Sequence, residues 1–363
     1  MQQITDNKIL DYEEISSSEY IKNEIPLTEK AKSNVLENRK AIQKIILGED
    51  SRKILIIGPC SIHNTEEALE YAENLSKLRE KVKDKFLVLM RTYFEKPRTT
   101  TGWKGLINDP EISDSFNIEK GLRVARELLI KINEKSLGCA TEFLEPNTPQ
   151  YIDDLISWSS IGARTTESQT HREIASGLPM PVGFKNTAQG TVKPAINSLK
   201  SSSNPHSFLG INKQGKISII KTKGNPDCHL ILRGGISGPN YHKKIVKQIQ
   251  EELSKSGLQP NIIIDCSHGN SNKDFKKQEE IFIEILKQIK KGNNKIIGLM
   301  LESYINEGKQ KIPRYTERVL KNQNPKRLLK KGISITDACL GWNDTKKIVL
   351  ENYDFLINFN RLG

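Results

Sequence analysis

The stretch Ile54-Leu55-Ile56-Ile57-Gly58-Pro59-Cys60 decides the fold. Four aliphatic residues in succession read as a strand buried on both faces, as in a parallel sheet, and a glycine-proline turn ends the run on a cysteine. Two further runs are built alike: Ile262-Ile263-Ile264-Asp265-Cys266-Ser267 leads to His268, and Ile296-Ile297-Gly298-Leu299-Met300-Leu301 leads to Glu302. A fourth, Ser334-Ile335-Thr336-Asp337, ends on a carboxylate. Ligands of parallel α/β folds bind beyond the carboxyl ends of the strands. Gathered there, Cys60, His268, Glu302 and Asp337 offer donors of mixed hardness to one divalent transition metal. No two of them are close in sequence, so only the fold brings them together.

Outward from residue 54, strand-like and helix-like patterns alternate, which implies a parallel sheet. Barrel strands are expected over Ile54–Ile57, Phe86–Arg91, Gly138–Phe143, Ile161–Arg164, Pro181–Lys185, His229–Arg233, Ile262–Asp265 and Ile296–Leu301. Amphipathic helices fit the gaps, among them Thr65–Glu80, Ile118–Lys135, Tyr241–Ser256 and Asp274–Lys290. The reading is α/β: one (β/α)8 TIM barrel over residues 46–363, with an N-terminal extension over 1–45 carrying helical stretches at Asn7–Glu13 and Thr28–Leu47. Between strands five and six, His206–Asn212 and Lys216–Lys223 flank Lys213-Gln214-Gly215, an inserted β-hairpin over about 206–223. It reads equally as decoration or as a ligand or subunit site.

Composition bounds the function. Hydrophobic residues make up 36% and charged residues 28%, ordinary for a globular protein. The apolar runs fall far short of the ~20 residues a membrane span needs, and Met1-Gln2-Gln3-Ile4 lacks the layout of a signal peptide. Five cysteines without framework spacing argue for reduced thiols, and the chain is expected in the cytoplasm with no membrane partner. The net charge of +12 suggests a polyanion, but aromatics are only 6% and no basic stretch interleaves them, so a solvated basic surface is expected rather than nucleic-acid binding.

Several cations end strands instead of decorating helices: Arg91, Arg164, Lys185 and Arg233. Charges at a barrel mouth are costly unless something neutralises them. Together they read as a pocket for a small anion bearing phosphate and carboxylate groups. The run Arg91-Thr92-Tyr93-Phe94-Glu95-Lys96-Pro97-Arg98-Thr99-Thr100-Thr101-Gly102-Trp103-Lys104-Gly105 adds cations, hydroxyls and glycines suited to a second phosphate. A metal, two anion sites and no nucleotide fingerprint point to carbon–carbon bond chemistry on phosphorylated sugars.

Several colinear motifs resemble those of the 3-deoxy-D-arabino-heptulosonate 7-phosphate (DAHP) synthases of the short, feedback-regulated microbial type. They include Gly58-Pro59-Cys60-Ser61-Ile62-His63, the run Arg91 to Pro110, Gly162-Ala163-Arg164-Thr165-Thr166-Glu167-Ser168-Gln169, Pro181-Val182-Gly183-Phe184-Lys185-Asn186, Leu232-Arg233-Gly234-Gly235 and Ser334-Ile335-Thr336-Asp337-Ala338-Cys339. The resemblance implies a transferase that condenses phosphoenolpyruvate with erythrose 4-phosphate, the first step of the shikimate pathway to chorismate and the aromatic amino acids. It implies one divalent ion (Mn²⁺, Fe²⁺, Co²⁺ or Zn²⁺) on Cys60, His268, Glu302 and Asp337. Phosphoenolpyruvate would lie on Arg91, Lys96, Glu142, Arg164, Lys185, Arg233 and His268, and the sugar phosphate on Lys96, Pro97, Arg98 and Thr99. Lys96, His268, Asp337 and Cys60 would be the catalytic set, with Lys96 as proton donor to the aldehyde.

Two alternatives stand beside this. The related 3-deoxy-octulosonate 8-phosphate synthase uses arabinose 5-phosphate but carries an Asn-Arg-Ser-type loop where this chain has Lys96-Pro97-Arg98-Thr99. A non-catalytic metabolite- or polyanion-binding barrel would have no need of all four metal-capable residues. Pro239-Asn240-Tyr241-His242, Ser267-His268-Gly269-Asn270 and Glu307-Gly308-Lys309-Gln310-Lys311-Ile312 resemble the tryptophan-sensitive isozyme most. The resemblance also implies a homodimer or homotetramer and an aromatic amino-acid effector pocket at Gln150, Pro179, Phe208, Gly210 and Ile220. There the chain departs from its relatives: Pro179 and Gly210 stand where serines are usual, Asn186-Thr187-Ala188-Gln189-Gly190 replaces an Asn-Gly-Thr-Asp-Gly run, and Pro313–Lys331 is longer than expected. Weakened feedback is the expectation.

Overall fold

The computed structural model describes residues 4–313 and 325–357. Ten strands lie among them: β1 (Lys53–Gly58), β2 (Phe86–Arg91), β3 (Gly138–Phe143), β4 (Trp158–Ile161), β5 (Val182–Lys185), β6 (Ser207–Ile211), β7 (Ile217–Lys221), β8 (His229–Leu232), β9 (Ile262–Asp265) and β10 (Ile296–Glu302). Eight close into a parallel barrel in the order β1-β10-β9-β8-β5-β4-β3-β2, while β6 and β7 pair antiparallel as the expected hairpin. Every barrel strand is buried along its length. That is why these strands read as unbroken apolar runs rather than alternating ones.

Alternate strand residues divide between two cores. Ile54, Ile56, Leu87, Leu89, Ala140, Trp158, Ile231, Ile263, Ile297 and Met300 pack together inside the barrel. Leu55, Ile57, Val88, Met90, Leu230, Leu232, Ile262 and Ile264 face the surrounding helices. The interior is plugged at its amino end by helix α2 (Glu29–Leu47), whose Ile42, Ile45 and Ile46 join the inner cluster. Asn261, just before β9, donates to Ile46 O at 2.8 Å and fixes that end. The Thr28 hydroxyl caps the helix by accepting from Ala31 N, and the helix stops at Gly48, whose φ of 84° suits glycine alone. The helix thus runs through residues 45–46 and belongs to the barrel's packing on both sides of that point.

Three expectations change. The fourth strand is Trp158–Ile161, not Ile161–Arg164, so Arg164 lies in the turn three residues beyond it. Ser159 and Ser160 made this run look like loop, yet both are fully buried, and Ser160 Oγ bonds Tyr93 OH at 3.0 Å. No helix forms over Asn7–Glu13; helix α1 is Ser18–Glu24. Ile9, Leu10 and Tyr12 are exposed, and a short segment without a surface to bury against does not hold a helix. Asp337 sits in a bend after an isolated bridge between Lys309 and Ser334, not at the end of a barrel strand. The long stretch Pro313–Lys331 lies largely outside the described residues.

Below the mouth, the barrel interior holds the imidazole of His229, 2% exposed. Trp158 Nε1 donates to His229 Nε2 at 3.0 Å, and His229 Nδ1 donates to Asp227 O at 3.1 Å. Both nitrogens are satisfied only in the neutral ring, and burial pushes the imidazole down to about 4. The unfolded chain takes up this proton near pH 6.5 and the native one only near pH 4, so stability falls as pH drops through that window. One such group costs about 3 kcal/mol across it. His229→Gln keeps an acceptor for Trp158 without the ionisation. Urea midpoints at about pH 7.5 and pH 4.5 should therefore lie closer together in His229→Gln than in wild type; equal acid sensitivity would place the effect elsewhere.

Candidate active site

At the carboxyl mouth the Cys60, Glu302 and Asp337 donor atoms lie within 4.8 Å of one another. Each is fixed by its backbone. Cys60 follows the turn after β1, and its Sγ accepts from Asp337 N at 3.4 Å. Glu302 ends β10, where Gln278 brackets it by accepting from its N–H at 2.8 Å and donating to its carbonyl at 3.0 Å. Leu340 N donates to Glu302 O at 2.9 Å, which straps the Asp337 segment alongside β10. His268 stands beside this trio, outside its 4.8 Å grouping, with Nε2 3.7 Å from Glu302 Oε1. Its φ of 55° is unusual for a non-glycine residue and turns the ring inward. His268 Nδ1 is bonded to Asp265 Oδ2 at 2.9 Å, which leaves Nε2 to face the trio.

This donor set fits a divalent ion. Burial and the neighbouring Glu302 push the Cys60 thiol up to about 11 despite Lys96 and Arg91 nearby. A cation among these groups reverses that balance and lets the sulfur bind as thiolate. Thiolate, imidazole and carboxylates suit Mn²⁺, Fe²⁺, Co²⁺ or Zn²⁺.

A bed of cations adjoins the trio. Arg91 is fully buried; its Nη2 donates to Glu302 Oε1 at 3.0 Å and its Nε to Pro59 O at 3.2 Å. Arg91 Nη1 is buried with no partner, a donor placed for an incoming anion. Lys185 pairs with Glu142 at 2.7 Å. Against the cost of burial, Lys185 and Lys96 hold the Glu142 carboxyl down to about 2. Lys96 Nζ donates to Cys60 Sγ at 3.3 Å and Cys60 O at 3.2 Å, joining the cations to the metal donors. Burial would lower its affinity for the proton, but Cys60, Glu302 and Glu142 hold the ammonium above the usual lysine range. The Tyr93 ring lies beneath, with Arg91 Cζ 3.7 Å and Lys185 Nζ 5.2 Å from its centroid.

Above this bed opens a cavity of about 730 Å³, lined by Lys96, Pro97, Arg98, Thr99, Glu142, Arg164, Lys185, Arg233, His268 and Asp337 among others. Cys60, Arg91 and Glu302 are buried and do not line it. Arg164 reaches across to Pro97 O at 3.4 Å and Thr99 Oγ1 at 3.3 Å. On the hairpin, Phe208, Gly210 and Ile220 share one half-buried face, and Gln150 donates to Ile211 O beside it. Pro179 is exposed, two residues beyond Gly177, which packs on Thr222 at the end of the hairpin.

Sequence reading missed Asp265, Tyr93 and Gln278. Asp265 had a signal: a carboxylate three residues before a candidate histidine ligand at a strand end. Against the cost of burial, His268, Lys185 and Arg91 hold its carboxyl far below the usual range. Tyr93 and Gln278 had none, since nothing local distinguishes a platform or a backbone bracket from core.

The profile of the DAHP synthetase I family matches residues 24–350. The chain is 48% identical over 348 residues to the Tyr-sensitive phospho-2-dehydro-3-deoxyheptonate aldolase of Escherichia coli strain K12, covering 96% of this chain and 93% of that one. It is 49% identical over 344 residues to the Phe-sensitive enzyme of the same strain, covering 95% of each. A solved phospho-2-dehydro-3-deoxyheptonate aldolase from Francisella tularensis SCHU S4 superposes with a TM-score of 0.90 at 44% identity, over 96% of this chain and 98% of that one.

Asp265 generates a test that needs no substrate. Asp265→Asn keeps size but weakens the bond that orients His268, and manganese affinity measured calorimetrically should fall about 10–100-fold. Unchanged affinity would mean that His268 takes no part in holding the ion.

Proposed function

The chain belongs to the DAHP synthetase I family, and on that premise we propose how its residues divide the family's reaction. It is a DAHP synthase: it joins phosphoenolpyruvate to D-erythrose 4-phosphate and water, giving DAHP and phosphate. The observation that carries the assignment of roles is the unpartnered Arg91 Nη1 beneath a cation-lined cavity, one salt bridge away from the three metal-capable donors.

Phosphoenolpyruvate lies on Arg91, Lys185, Arg164 and Arg233, whose charges match its phosphate and carboxylate. Glu142 stays ionised, holding Lys185 in place. The four-carbon sugar enters over Lys96 and Pro97, its phosphate on Arg98 and Thr99. Cys60, His268, Glu302 and Asp337 would hold a divalent ion, which would supply Lewis-acid polarisation of the aldehyde. The cation bed holds C3 of phosphoenolpyruvate within bonding reach of the aldehyde carbon, and most of the rate comes from that placement. As the carbon–carbon bond forms, the aldehyde oxygen gains charge. Lys96, an ammonium beside the metal donors, is placed to protonate it, downhill because an alkoxide is far more basic than an amine. Water adds at C2, and phosphate leaves as the C2–O bond breaks. His268 and Asp337 line the cavity and are the groups we assign to take the water's proton.

Residues 46–363 carry the chemistry in this reading, while 1–45 and the hairpin serve assembly and regulation. Leu209, Ile217 and Ile219 form an exposed apolar face on the hairpin, which suits self-association into a dimer or tetramer. No described helix is long and apolar enough to cross a membrane; with all five thiols free, we place the enzyme in the cytoplasm. The relatives' names cite tyrosine and phenylalanine, whereas the motifs quoted above resemble the tryptophan-sensitive type. At the effector face the Ile220 side chain fills the room that a side chain at Gly210 would need, its Cγ1 lying 2.9 Å from where a Cβ would stand. Pro179 offers neither a hydroxyl nor an N–H. Both remove contacts for the charged ends of an amino acid.

Phosphate release with both substrates, with and without chelator, tests the function. Release should need phosphoenolpyruvate, erythrose 4-phosphate and a divalent ion together; turnover of arabinose 5-phosphate at a comparable rate would contradict it. Arg98→Ala removes a charge-assisted contact worth roughly 1.5–3 kcal/mol, so the KM for erythrose 4-phosphate should rise about ten- to a hundredfold. A rise confined to phosphoenolpyruvate would interchange the two anion sites. Titration with tryptophan, phenylalanine and tyrosine separately should show weak inhibition, and Pro179→Ser with Gly210→Ser should sharpen it once Ile220 swings aside. Full inhibition of the wild type by any of the three at micromolar concentration contradicts desensitisation.

A further inference from the structure

We propose that Glu95 and His171 are positioning residues that lock three successive loops of the barrel mouth into a closed ring, fixing Arg98 and Thr99 for the sugar phosphate. Neither lines the cavity. The proposal rests on the substrate placement given above.

Glu95 follows the Tyr93 platform and precedes Lys96, and its side chain turns away from both into the protein, only 2% exposed. Its Oε2 accepts from Leu144 N at 3.3 Å, and its Oε1 accepts from Glu145 N at 3.3 Å and Thr148 Oγ1 at 3.1 Å. The carboxylate therefore fastens the loop after β2 to the loop after β3. Leu144 carries the ring onward, because its carbonyl accepts from His171 Nε2 at 2.8 Å. A carbonyl only accepts, so Nε2 bears the proton, and Nδ1 bonds Ser168 Oγ at 2.9 Å at the start of the helix Gln169–Ala175. That helix follows the turn carrying Arg164, and Arg164 closes the circuit on Pro97 O and Thr99 Oγ1.

The loop after β2 is rigid at its base. Lys96 N donates to Lys104 O at 2.8 Å, and Gly105 lies so close that a Cβ there would meet Phe94 O at 1.9 Å. Between these fixed points lie Arg98 and Thr99, where Arg164 of the ring bonds Pro97 O and Thr99 Oγ1. Burial pushes the Glu95 carboxyl up to about 7, a cost that an apolar side chain would not incur. Arg91 and Lys185 stand on strands β2 and β5 and do not depend on the ring. Of the cations assigned to phosphoenolpyruvate, only Arg164 belongs to the ring, so breaking it should harm the sugar phosphate more than phosphoenolpyruvate.

The test compares wild type with Glu95→Ala, Glu95→Gln and His171→Leu. Amide hydrogen exchange comes first because it needs no turnover. In Glu95→Ala the amides of Leu144 and Glu145, which lose their acceptor, should exchange at least about tenfold faster while those of the barrel strands are unchanged. Glu95→Gln, which keeps an acceptor for Thr148, should fall between the two, and both it and His171→Leu carry the test if the alanine variant does not fold. In the steady state, the KM for erythrose 4-phosphate should rise about tenfold or more, and that for phosphoenolpyruvate, which keeps Arg91 and Lys185, by a clearly smaller factor. A Glu95→Ala, His171→Leu double variant should lose little more than the worse single one, since the two cut the same ring. Unchanged exchange at those amides, an equal rise in both constants or a multiplicative double variant overturns the proposal. Absence of turnover in the wild type would instead defeat the function assigned above, and the exchange result alone would then decide the ring.

Discussion

The site depends on one buried ion pair, Arg91 with Glu302, joined at 3.0 Å where neither side chain is more than 2% exposed. Burying such a pair is costly, and here all but one of the guanidinium nitrogens, Nη1, have partners to offset it. Pro59 O takes Arg91 Nε, Gln278 holds the Glu302 backbone, and the Tyr93 ring lies against the guanidinium. The pair is the joint between two halves of opposite need. On one side, thiol and carboxylates crowd together and call for a cation. On the other, Lys96, Lys185, Arg164 and Arg233 surround a cavity and call for anions. Arg91 neutralises part of the first half while offering Nη1 to the second. Removing either partner would leave a buried charge uncompensated, at about 3–5 kcal/mol.

Much of this was legible beforehand because buried parallel strands write themselves as aliphatic runs. Seven of the eight barrel strands fall where such runs predicted them, and Cys60 and Glu302 stand at the ends of two. Strand β4 was misplaced because its core contacts are made by serines. Ser160 is buried against Tyr93, a partner 67 positions away that no local pattern records. Asp337 was placed on a strand because Ser334-Ile335-Thr336 alternates like one, but its position is set by hydrogen bonds to β10. Asp265 was passed over although it stands three residues before His268, because its bond to that ring depends on a backbone turn that no residue type announces. The segment around Leu10 looked helical by composition, yet a helix without a surface to cover has too little to hold it.

The extension and the hairpin are joined to each other and to the barrel. Glu19 N and the Ser18 hydroxyl both donate to Lys213 O at the hairpin tip, and Gln150 binds the hairpin's first strand from the barrel side. Gln150 lies two residues beyond Thr148, which bonds Glu95. A change at the hairpin face thus has a short covalent and hydrogen-bonded route to the loop that carries Lys96, although continuity alone is not coupling.

The central claim is that Cys60, remote in sequence from the other donors, binds a metal as thiolate. Cobalt(II) titration followed by thiolate-to-metal charge-transfer absorption tests it directly, since only sulfur bonded to the ion gives that band. The account predicts a band that saturates at one ion per chain, vanishes in Cys60→Ala and persists in Cys339→Ala, although the Cys339 sulfur lies 3.4 Å from Cys60 N. A band that survives loss of Cys60, or cobalt bound with no such band, would contradict it.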